Sequence, residues 1–371
     1  MKLEIEARDG MARSGVFHTP HGAVVTPAFM PVGTRGSVKT LDGDDLENVG
    51  AQMVLSNTFH LMLRPGSDVV RELGGLHEFM NWRGPILTDS GGYQVFSLDA
   101  KVSENGVTFR STYDGSRIEL TPERAVTVQE DLGSDIAVAL DVLVGLPAPR
   151  PVVEAAMQRT LRWAARSMQA RRREDQLMFG IVQGGVDLSL RAESAAKTAD
   201  LEFDGYAVGG LSVGESDAER DKAIEVVVGE LPQDRVRYTM GLGDTEGMLH
   251  AVARGIDLFD CVLPTRLARH GKVLTSDGDY SIRRAEHTRS SSPLDPSCGC
   301  RTCTSYSRSY LRHLYQTGEP AGLRLLTMHN LTYTLNLMRA MRSAVVEGRF
   351  ERFMISTIER RVSGVSGESL A

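Results

Sequence analysis

The stretch around residue 260 joins a carboxylate to a cluster of cations. The segment GIDLFDC (255–261) is a short apolar run with Asp260 near its end, and VLPTRLARHGK (262–272) follows it with Arg266, Arg269 and Lys272. A strand that ends in an acid and opens onto a basic loop suits chemistry on a phosphate-bearing substrate. A plain surface turn capped by an aspartate fits the same residues, so the choice depends on the rest of the chain.

Polar side chains also follow other apolar runs. Asp89 and Asp141 end two of them, and Asn57 and Gln183 lie near the ends of two more. A pair of carboxylates suits glycosidic chemistry. One attacks the anomeric carbon to form a covalent glycosyl-enzyme, and the other protonates the leaving group and later deprotonates the acceptor. Tyr93, close to Asp89, offers an aromatic face on which a heterocyclic base can stack.

Three of the four cysteines lie within six residues and indicate a metal site. Their spacing is Cys298-x-Cys300-x2-Cys303, and His329 follows at a distance that allows it to tie this segment back to the rest of the fold. A Cys₃His set closes a tetrahedral structural zinc site that has no open position. Buried structural thiols are the alternative. Cys261 stands apart from this set and is expected to pack inside the fold.

Eight short apolar runs, each ending in a small or polar residue, alternate with stretches of helical pattern. Eight strands in this alternation predict an α/β fold, a (β/α)8 TIM barrel, whose site lies at the carboxyl ends of the strands. A doubly wound open sheet is the rival architecture, but no GxGxxG follows the first run. The runs span residues 27–34, 52–58, 85–92, 135–141, 177–185, 205–211, 237–243 and 255–261.

Two long gaps between the regular units predict insertions. The turn Tyr113-Asp114-Gly115 between alternating residues indicates a hairpin, and so predicts a β insertion after strand 3, at about 97–125. A second hairpin signal lies at 276–278, in a segment rich in Arg, Ser, Gly and Cys. We therefore divide the chain into a barrel (1–264), a basic zinc-binding subdomain after strand 8 (265–329) and a C-terminal helical segment that completes the barrel (330–371).

Composition excludes a membrane protein and leaves nucleic acid open. The 371 residues carry a net charge of −6, yet residues 261–325 hold ten Lys and Arg against five Asp and Glu. This local excess of cations favours a polyanionic partner. No apolar run approaches the ~20 residues that span a bilayer, and the charged N-terminus lacks a signal core, so the sequence predicts a cytoplasmic protein.

Six long motifs lie along the chain: SNTFHLMLRPG (56–66), ILTDSGGYQVFSL (86–98), GIVQGG (180–185), GYAVGGLSVGE (205–215), YTMGLG (238–243) and FDCVLPTRLARHGKVLT (259–275). Together they resemble the tRNA-guanine transglycosylase family. The resemblance implies a barrel with a zinc subdomain and a pentosyltransferase. Such an enzyme would exchange the wobble guanine (position 34) of tRNAs with GUN anticodons for the 7-deazaguanine base preQ1. The exchange would pass through a covalent Asp-ribosyl intermediate and would be a step of queuosine biosynthesis. The resemblance also implies a homodimer.

The resemblance assigns a role to each matching residue. Asp260 corresponds to the nucleophile and Asp89 to the general acid and base. The other implied positions fall into three groups, namely Asp141, Gln183, Gly210, Leu211, Tyr93 and Met240 around the base, Arg266 and Arg269 on tRNA, and Cys298, Cys300, Cys303 and His329 on one structural zinc ion per subunit.

One departure from the family pattern concerns the incoming base. Val142 and Leu143 stand where comparable bacterial members carry an acidic residue and a cysteine, whereas Val213 agrees with the preQ1 pattern. Exchange with the bulkier queuine is therefore an alternative. A non-catalytic tRNA-binding partner subunit is a second alternative, which the presence of both Asp89 and Asp260 disfavours. A barrel glycosidase acting on sugars is a third, and it would not need a basic zinc-binding insertion.

Overall fold

The computed structural model of the protein describes residues 2–96, 98 and 100–368. Residues 97 and 99 of the predicted β insertion and residues 369–371 of the predicted C-terminal segment lie outside the described residues. No helix in the described part of the chain combines the length and the apolar character that crossing a membrane requires.

The strands of the described residues are short, as is usual in an α/β fold. In chain order they are β1 (Leu3–Asp9), β2 (Ala12–Thr19), β3 (Gly22–Thr26), β4 (Ala28–Gly33), β5 (Val54–Asn57), β6 (Ile86–Asp89), β7 (Lys101–Val102), β8 (Val107–Arg110), β9 (Arg117–Leu120), β10 (Ile136–Val138), β11 (Leu177–Val182), β12 (Gly205–Val208), β13 (Val236–Thr239), β14 (Leu258–Cys261), β15 (Lys272–Val273) and β16 (Tyr280–Ser281).

The α-helices alternate with the strands through most of the chain. They are α1 (Gly43–Asn48), α2 (Thr58–Leu63), α3 (Ser67–Glu72), α4 (Gly75–Met80), α5 (Gly92–Phe96), α6 (Pro122–Leu132), α7 (Arg150–Ala170), α8 (Leu188–Ala199), α9 (Asp217–Glu230), α10 (Thr245–Ala253), α11 (Leu263–Arg269), α12 (Arg301–Ser305), α13 (Arg308–Gln316), α14 (Pro320–Val346) and α15 (Phe350–Glu368), and a 3-10 helix spans Ala285–Arg289.

A closed parallel barrel confirms the predicted fold class. Its strand order is β4-β5-β6-β10-β11-β12-β13-β14, with β14 pairing back to β4. Each strand overlaps one of the eight apolar runs singled out from the sequence. The barrel interior is a packed apolar core that includes Met30, Leu55, Phe179, Ile181 and Tyr238. Because parallel strands of a barrel place their carboxyl ends at one face, the polar run ends meet at a single mouth.

An N-terminal antiparallel sheet, which the sequence interpretation missed, closes the other end of the barrel. Strands β1, β2 and β3 pair in that order. Leu3, Phe17 and Val24 of this sheet belong to the same apolar cluster as the barrel interior, and the Phe17 and Phe179 ring centroids lie 6.0 Å apart. The alternation of apolar and charged residues in LEIEARD is the signal that would have predicted the first strand.

A buried carboxylate attaches this sheet to the barrel. Asp135, just before β10, accepts hydrogen bonds from the backbone N–H groups of Ile86 (2.7 Å) and His21 (2.9 Å). The His21 ring also bonds to Asp135 through Nδ1 (2.8 Å) and stacks on His77 of α4 with centroids 3.6 Å apart. One carboxylate therefore joins the β2–β3 turn, the start of β6 and α4.

The predicted β insertion after the third barrel strand is a three-stranded antiparallel sheet, β7-β8-β9. Its predicted turn at Tyr113 to Gly115 connects β8 to β9. The Trp163 Nε1–H group of α7 donates to the carbonyl of Glu104 (2.9 Å), and Arg162 forms an ion pair with the Glu104 carboxylate. These contacts fix the insertion against the outer helix layer.

The segment after β14 has a small apolar core of its own, which includes Val273, Tyr280, Leu294, Leu311 and Leu326. The hairpin predicted at residues 276–278 is present as β15 and β16. The long helix expected from residue 330 begins at Pro320 instead, where a proline at the first turn starts it, and α15 follows it as a separate helix. Pro320 and the small Gly322 had been grouped with the preceding irregular segment.

Candidate active site

A cavity of about 290 Å³ opens at the barrel mouth between the carboxyl ends of the strands. This volume lies at the small end of the range of ligand pockets, about 300–1,000 Å³, and suits one small planar molecule. Of the residues predicted for the site, the cavity is lined by Asp89, Tyr93, Asp141, Gly210, Leu211, Met240 and Asp260. Strands separated widely in the sequence thus bring three carboxylates to one place.

Asp260 is held by one oxygen. Its Oδ1 accepts hydrogen bonds from the Tyr238 hydroxyl (2.5 Å) and from the Gly241 N–H group (2.8 Å). No donor among the described residues bonds to Oδ2, so this oxygen can react with a ligand in the cavity. Burial raises the pKa of Asp260, while the hydrogen bonds from Tyr238 and Gly241 favour the carboxylate and oppose that rise.

Asp89, at the end of β6, is held by donors of the neighbouring strand end. Its Oδ1 accepts the backbone N–H groups of Thr58 (3.1 Å) and Gly91 (3.1 Å), and its Oδ2 accepts the Asn57 amide. The Asn57 Oδ1 atom caps α2 through the His60 N–H group (3.0 Å), which orients its amide toward Asp89.

The pKa of Asp89 suits proton transfer in both directions. Burial is the main cause that raises this pKa to about 7, and the negative charge of Asp260 adds to the rise. The hydrogen bonds from Thr58, Gly91 and Asn57 lower it and offset part of the effect. A carboxyl group with a pKa near the working pH gives and takes protons efficiently.

Asp141 lines the cavity, and Gln183, which lies behind it and does not line the cavity, forms a polar pair with it. The Gln183 Nε2–H group donates to Asp141 Oδ2 (2.6 Å), and burial raises the pKa of Asp141 to about 6. A Cβ atom at Gly92 would lie 2.4 Å from Asp141 Oδ1, so only glycine leaves room for the carboxylate at this point. A carboxylate beside an amide can bind the polar edge of a heterocycle.

The remaining predicted pocket residues occupy different depths. Leu211 is buried and Met240 is half-buried, whereas Tyr93 is 62% exposed and lies at the rim. Leu143 lines the cavity, as does Val213. Val142 does not line it, because its backbone bonds to Thr160 (3.0 Å) and its side chain packs with the cluster around Phe59. Of the two departures from the family pattern, only Leu143 is therefore in the pocket.

The predicted pair of arginines lies on α11, which begins two residues after Cys261 at the end of β14. Arg266 is exposed and forms no ion pair among the described residues. Arg269 is half-buried and donates to the Thr265 carbonyl (2.9 Å). Burial lowers the pKa of Arg269, and the nearby charge of Arg266 lowers it further. The two guanidinium groups thus form a cationic surface beside the mouth.

The four predicted metal ligands converge in the inserted subdomain. The thiol sulfurs of Cys298, Cys300 and Cys303 and a ring nitrogen of His329 all lie within 4.8 Å of one another. The His329 Nε2 atom bonds to the Leu274 carbonyl (2.9 Å) and its Nδ1 atom lies 3.3 Å from the Cys303 sulfur. Because Nε2 carries the proton in that bond, the lone pair of Nδ1 is directed at the thiols. This set can hold a metal ion.

Asn330, the residue after His329, links the Cys₃His group to α11. Its amide donates to the carbonyls of Pro264 (3.1 Å) and Lys272 (3.0 Å) and accepts the Leu274 N–H group (3.0 Å). The helix that carries His329 therefore also positions the segment that carries Arg266.

The sequence pattern places Asn57 at the mouth, but it assigns no role to Tyr238, which holds Asp260. Tyr238 lies two residues before Met240, so strand alternation places both on one face, and this was the available signal. The N–H groups of Thr58, Gly91 and Gly241 left no signal in residue type, because any residue supplies a backbone donor.

Comparisons with known proteins find similar sequences over most of the chain. The family model described as queuine tRNA-ribosyltransferase matches residues 9–363. Three similar proteins, each called queuine tRNA-ribosyltransferase, come from Herpetosiphon aurantiacus (49% identical over 96% of this chain and 91% of the relative), Pelotomaculum thermopropionicum (52%, over 92% and 93%) and Thioalkalivibrio sulfidiphilus (50%, over 98% and 99%).

Proposed function

This chain belongs to the queuine tRNA-ribosyltransferase family, and from that premise we propose that it exchanges the guanine at position 34 of GUN-anticodon tRNAs for a 7-deazaguanine base. The observation that carries the proposal is the pair of carboxylates in one cavity, Asp260 with an unbonded oxygen and Asp89 with a pKa of about 7. A non-catalytic partner subunit would have no need of either.

In the first half of the proposed reaction, Asp260 Oδ2 attacks C1′ of the ribose. An ester bond forms between C1′ and the carboxylate while the bond from C1′ to the guanine nitrogen breaks, and its electron pair leaves with the base. The carboxyl proton of Asp89 passes to the departing guanine. The hydrogen bonds from Tyr238 and Gly241 to Oδ1 keep the carboxylate oriented for attack.

In the second half, the incoming base gives a proton to the Asp89 carboxylate, and its nitrogen attacks C1′ and displaces Asp260. Asp89 is then protonated again and Asp260 is a free carboxylate, so protons and electron pairs balance over the cycle. Asp141, Gln183, Gly210 and Leu211 bind the polar edge of the base, while Tyr93 and Met240 contact its faces.

We propose preQ1 as the incoming base in this step of queuosine biosynthesis. Leu143 and Val213, both apolar and branched, line the 290 Å³ cavity and leave little room for the bulkier queuine. The test offers radiolabelled guanine, preQ1 and queuine with unmodified GUN-anticodon tRNA and follows incorporation. Incorporation of queuine in preference to preQ1 would refute this choice of base, and incorporation of none of the three would refute the exchange itself.

The surface of Arg266 and Arg269 is proposed to bind tRNA phosphates. Contacts to phosphates release counterions, so affinity falls with salt by about 0.7–0.9 log units per log unit of salt for each contact. Replacing both arginines by alanine is expected to weaken tRNA binding and to flatten this salt slope, measured by filter binding at several salt concentrations. The affinity for free preQ1 should hardly change.

A matched control removes two cations from the closed end of the barrel. Lys2 immediately precedes β1 and Arg8 lies within it, so the double variant Lys2→Ala, Arg8→Ala alters the net charge equally. It should leave the salt slope as in the wild type. A slope that is unaltered in the Arg266, Arg269 variant would mean that tRNA docks elsewhere.

The metal is proposed to be one structural zinc ion per subunit, since a Cys₃His set leaves no ligand position open for chemistry. Cys300→Ser is expected to lose the metal, measured as zinc per chain by elemental analysis, and to lower the melting temperature. Binding of tRNA falls with it, because Asn330 and α11 lose their support. Cys261→Ser is the control and should retain the zinc. A folded, active wild type without zinc would contradict the assignment.

A homodimer is proposed as the assembled form. An exposed aromatic pair in the zinc subdomain supports it. The rings of Tyr306 and Tyr310 stack with centroids 5.4 Å apart, and Tyr310 is 44% exposed. Exposed aromatic residues of this kind are enriched at protein interfaces.

A further inference from the structure

A buried arginine lies behind the loops that are proposed to bind the base. Arg191, in the first turn of α8, is fully buried. Its Nε–H group donates to the Gly185 carbonyl (2.7 Å), and its Nη1 group donates to the carbonyls of Val182 (3.1 Å) and Gly209 (2.8 Å). Its Nη2 group donates to the Gly210 carbonyl (3.2 Å). One guanidinium thus joins the end of β11 to the loop after β12.

A cation in this place is costly to the fold. No carboxylate forms an ion pair with Arg191 within the described ranges, and burial lowers its pKa to about 10, while the more distant charge of Glu215 raises it slightly. Burying a charge that has no counter-charge is unfavourable. A neutral apolar residue would fill the same space without the free-energy cost of burying a charge. The four hydrogen bonds to carbonyl groups therefore suggest that Arg191 serves a purpose other than stability.

Those bonds determine where two neighbouring N–H groups point. A trans peptide is planar, so its C=O and N–H groups point in opposite directions. Because the carbonyls of Gly209 and Gly210 point at Arg191, the N–H groups of Gly210 and Leu211 point away from it. Both residues are buried and line the cavity.

Neither N–H group has an acceptor in the described part of the protein. The next two residues differ, because the N–H groups of Ser212 and Val213 both donate to the Glu215 carboxylate. Buried backbone N–H groups are almost always bonded. The unbonded N–H groups of Gly210 and Leu211 at the cavity wall therefore indicate that a bound ligand supplies the hydrogen-bond acceptor.

We propose that Arg191 is a positioning residue that directs the N–H groups of Gly210 and Leu211 at a carbonyl oxygen of the bound base. This inference rests on the proposed function, since guanine and its 7-deaza relatives are the ligands that carry such a carbonyl. Arg191 does not touch the base itself. It acts by preventing the Gly209–Leu211 backbone from turning its carbonyls into the cavity, where they would repel the oxygen of the base.

The test measures binding of radiolabelled guanine by equilibrium dialysis, which does not depend on catalysis. Arg191→Met fills the space but bonds to none of the four carbonyls, and it is expected to weaken guanine binding at least tenfold. Arg191→Lys retains the charge and up to three donors and should give an intermediate loss. The affinity for tRNA, measured by filter binding, should stay within twofold of the wild type for both variants.

Arg237 supplies the matched control. It is also buried, it also donates to backbone carbonyls, those of Leu231 and Gly255, and burial lowers its pKa to about 10. It lies near the start of β13, at the closed end of the barrel. Arg237→Lys should therefore lower the melting temperature much as Arg191→Lys does, yet leave guanine binding within twofold of the wild type.

Two outcomes would overturn the role of Arg191. One is guanine binding by Arg191→Met that equals the wild type, or by Arg191→Lys if the methionine variant does not fold. The other is a loss of guanine binding in Arg237→Lys as large as that in Arg191→Lys, since this would trace the effect to general stability. A wild type that binds guanine but transfers no base into tRNA would instead count against the proposed function.

Discussion

Replacing Asp260 by alanine is expected to abolish base exchange together with the covalent complex between protein and tRNA. The variant loses the only oxygen in the cavity that is proposed to bond to C1′, and loss of a nucleophile typically costs on the order of 10⁴-fold or more in rate. The wild type mixed with tRNA should give a band that survives a denaturing gel, and Asp260→Ala should give none. Exchange is measured by incorporation of radiolabelled guanine.

Two further variants separate the loss of the nucleophile from the loss of structure. Asp260→Asn keeps an oxygen to accept the hydrogen bonds from Tyr238 and Gly241, but it has no carboxylate, so it should be as inactive as the alanine variant. Tyr238→Phe keeps the carboxylate and removes one of the bonds that orient it, so it should form the covalent complex more slowly. Substantial turnover by Asp260→Ala would refute the assignment.

Replacing Asp89 by asparagine is expected to slow exchange by about 10²–10⁴-fold, the usual contribution of a general acid and base. Asparagine retains the shape of the side chain but cannot transfer a proton, so tRNA should bind normally while kcat falls. If Asp89→Asn only raised the KM for tRNA and left kcat unchanged, Asp89 would be a binding group.

The pH dependence of exchange gives a second measurement on Asp89. In the proposed mechanism the departure of guanine requires protonated Asp89, so the rate should fall above the pKa of about 7. The Asn57 amide bonds to the carboxylate and lowers this pKa, so Asn57→Ala should shift the alkaline limb to higher pH. The folded pKa is above the unfolded value of 3.8, so the contribution of Asp89 to stability is complete below about pH 4 and is lost as the pH rises through 7.

The sequence predicted the barrel because its signals are local. Each barrel strand is a short apolar run that ends in a polar or small residue, and that pattern is visible without knowledge of the partner strands. The N-terminal sheet was missed although LEIEARD alternates, because these residues were considered only as a targeting segment. The start of α14 was placed ten residues late because Pro320 begins the helix inside a segment that was assigned to the insertion.

The same contrast holds in the site. The run ends predicted that Asp89, Asp141 and Asp260 would meet, since strands of a barrel end at one face. Tyr238 and Arg191 were not predicted to act there. Tyr238 donates a hydrogen bond to an oxygen of Asp260. Arg191 donates to the carbonyls of Gly209 and Gly210. These hydrogen bonds depend on the directions of side chains from different strands. The spacing of residues along the chain does not reveal those directions.

The N-terminal sheet β1-β2-β3 packs against the end of the barrel opposite the cavity. The cavity is therefore closed at its inner end. Leu3, Phe17 and Val24 of that sheet pack into the barrel interior, so within the described residues the cavity opens at the mouth. A cavity of about 290 Å³ holds one base at a time, so in the proposed exchange the outgoing base departs before its replacement arrives. In the proposed mechanism the tRNA then remains on the protein without a base at position 34, and the proposed covalent bond to Asp260 protects C1′ of its ribose from water.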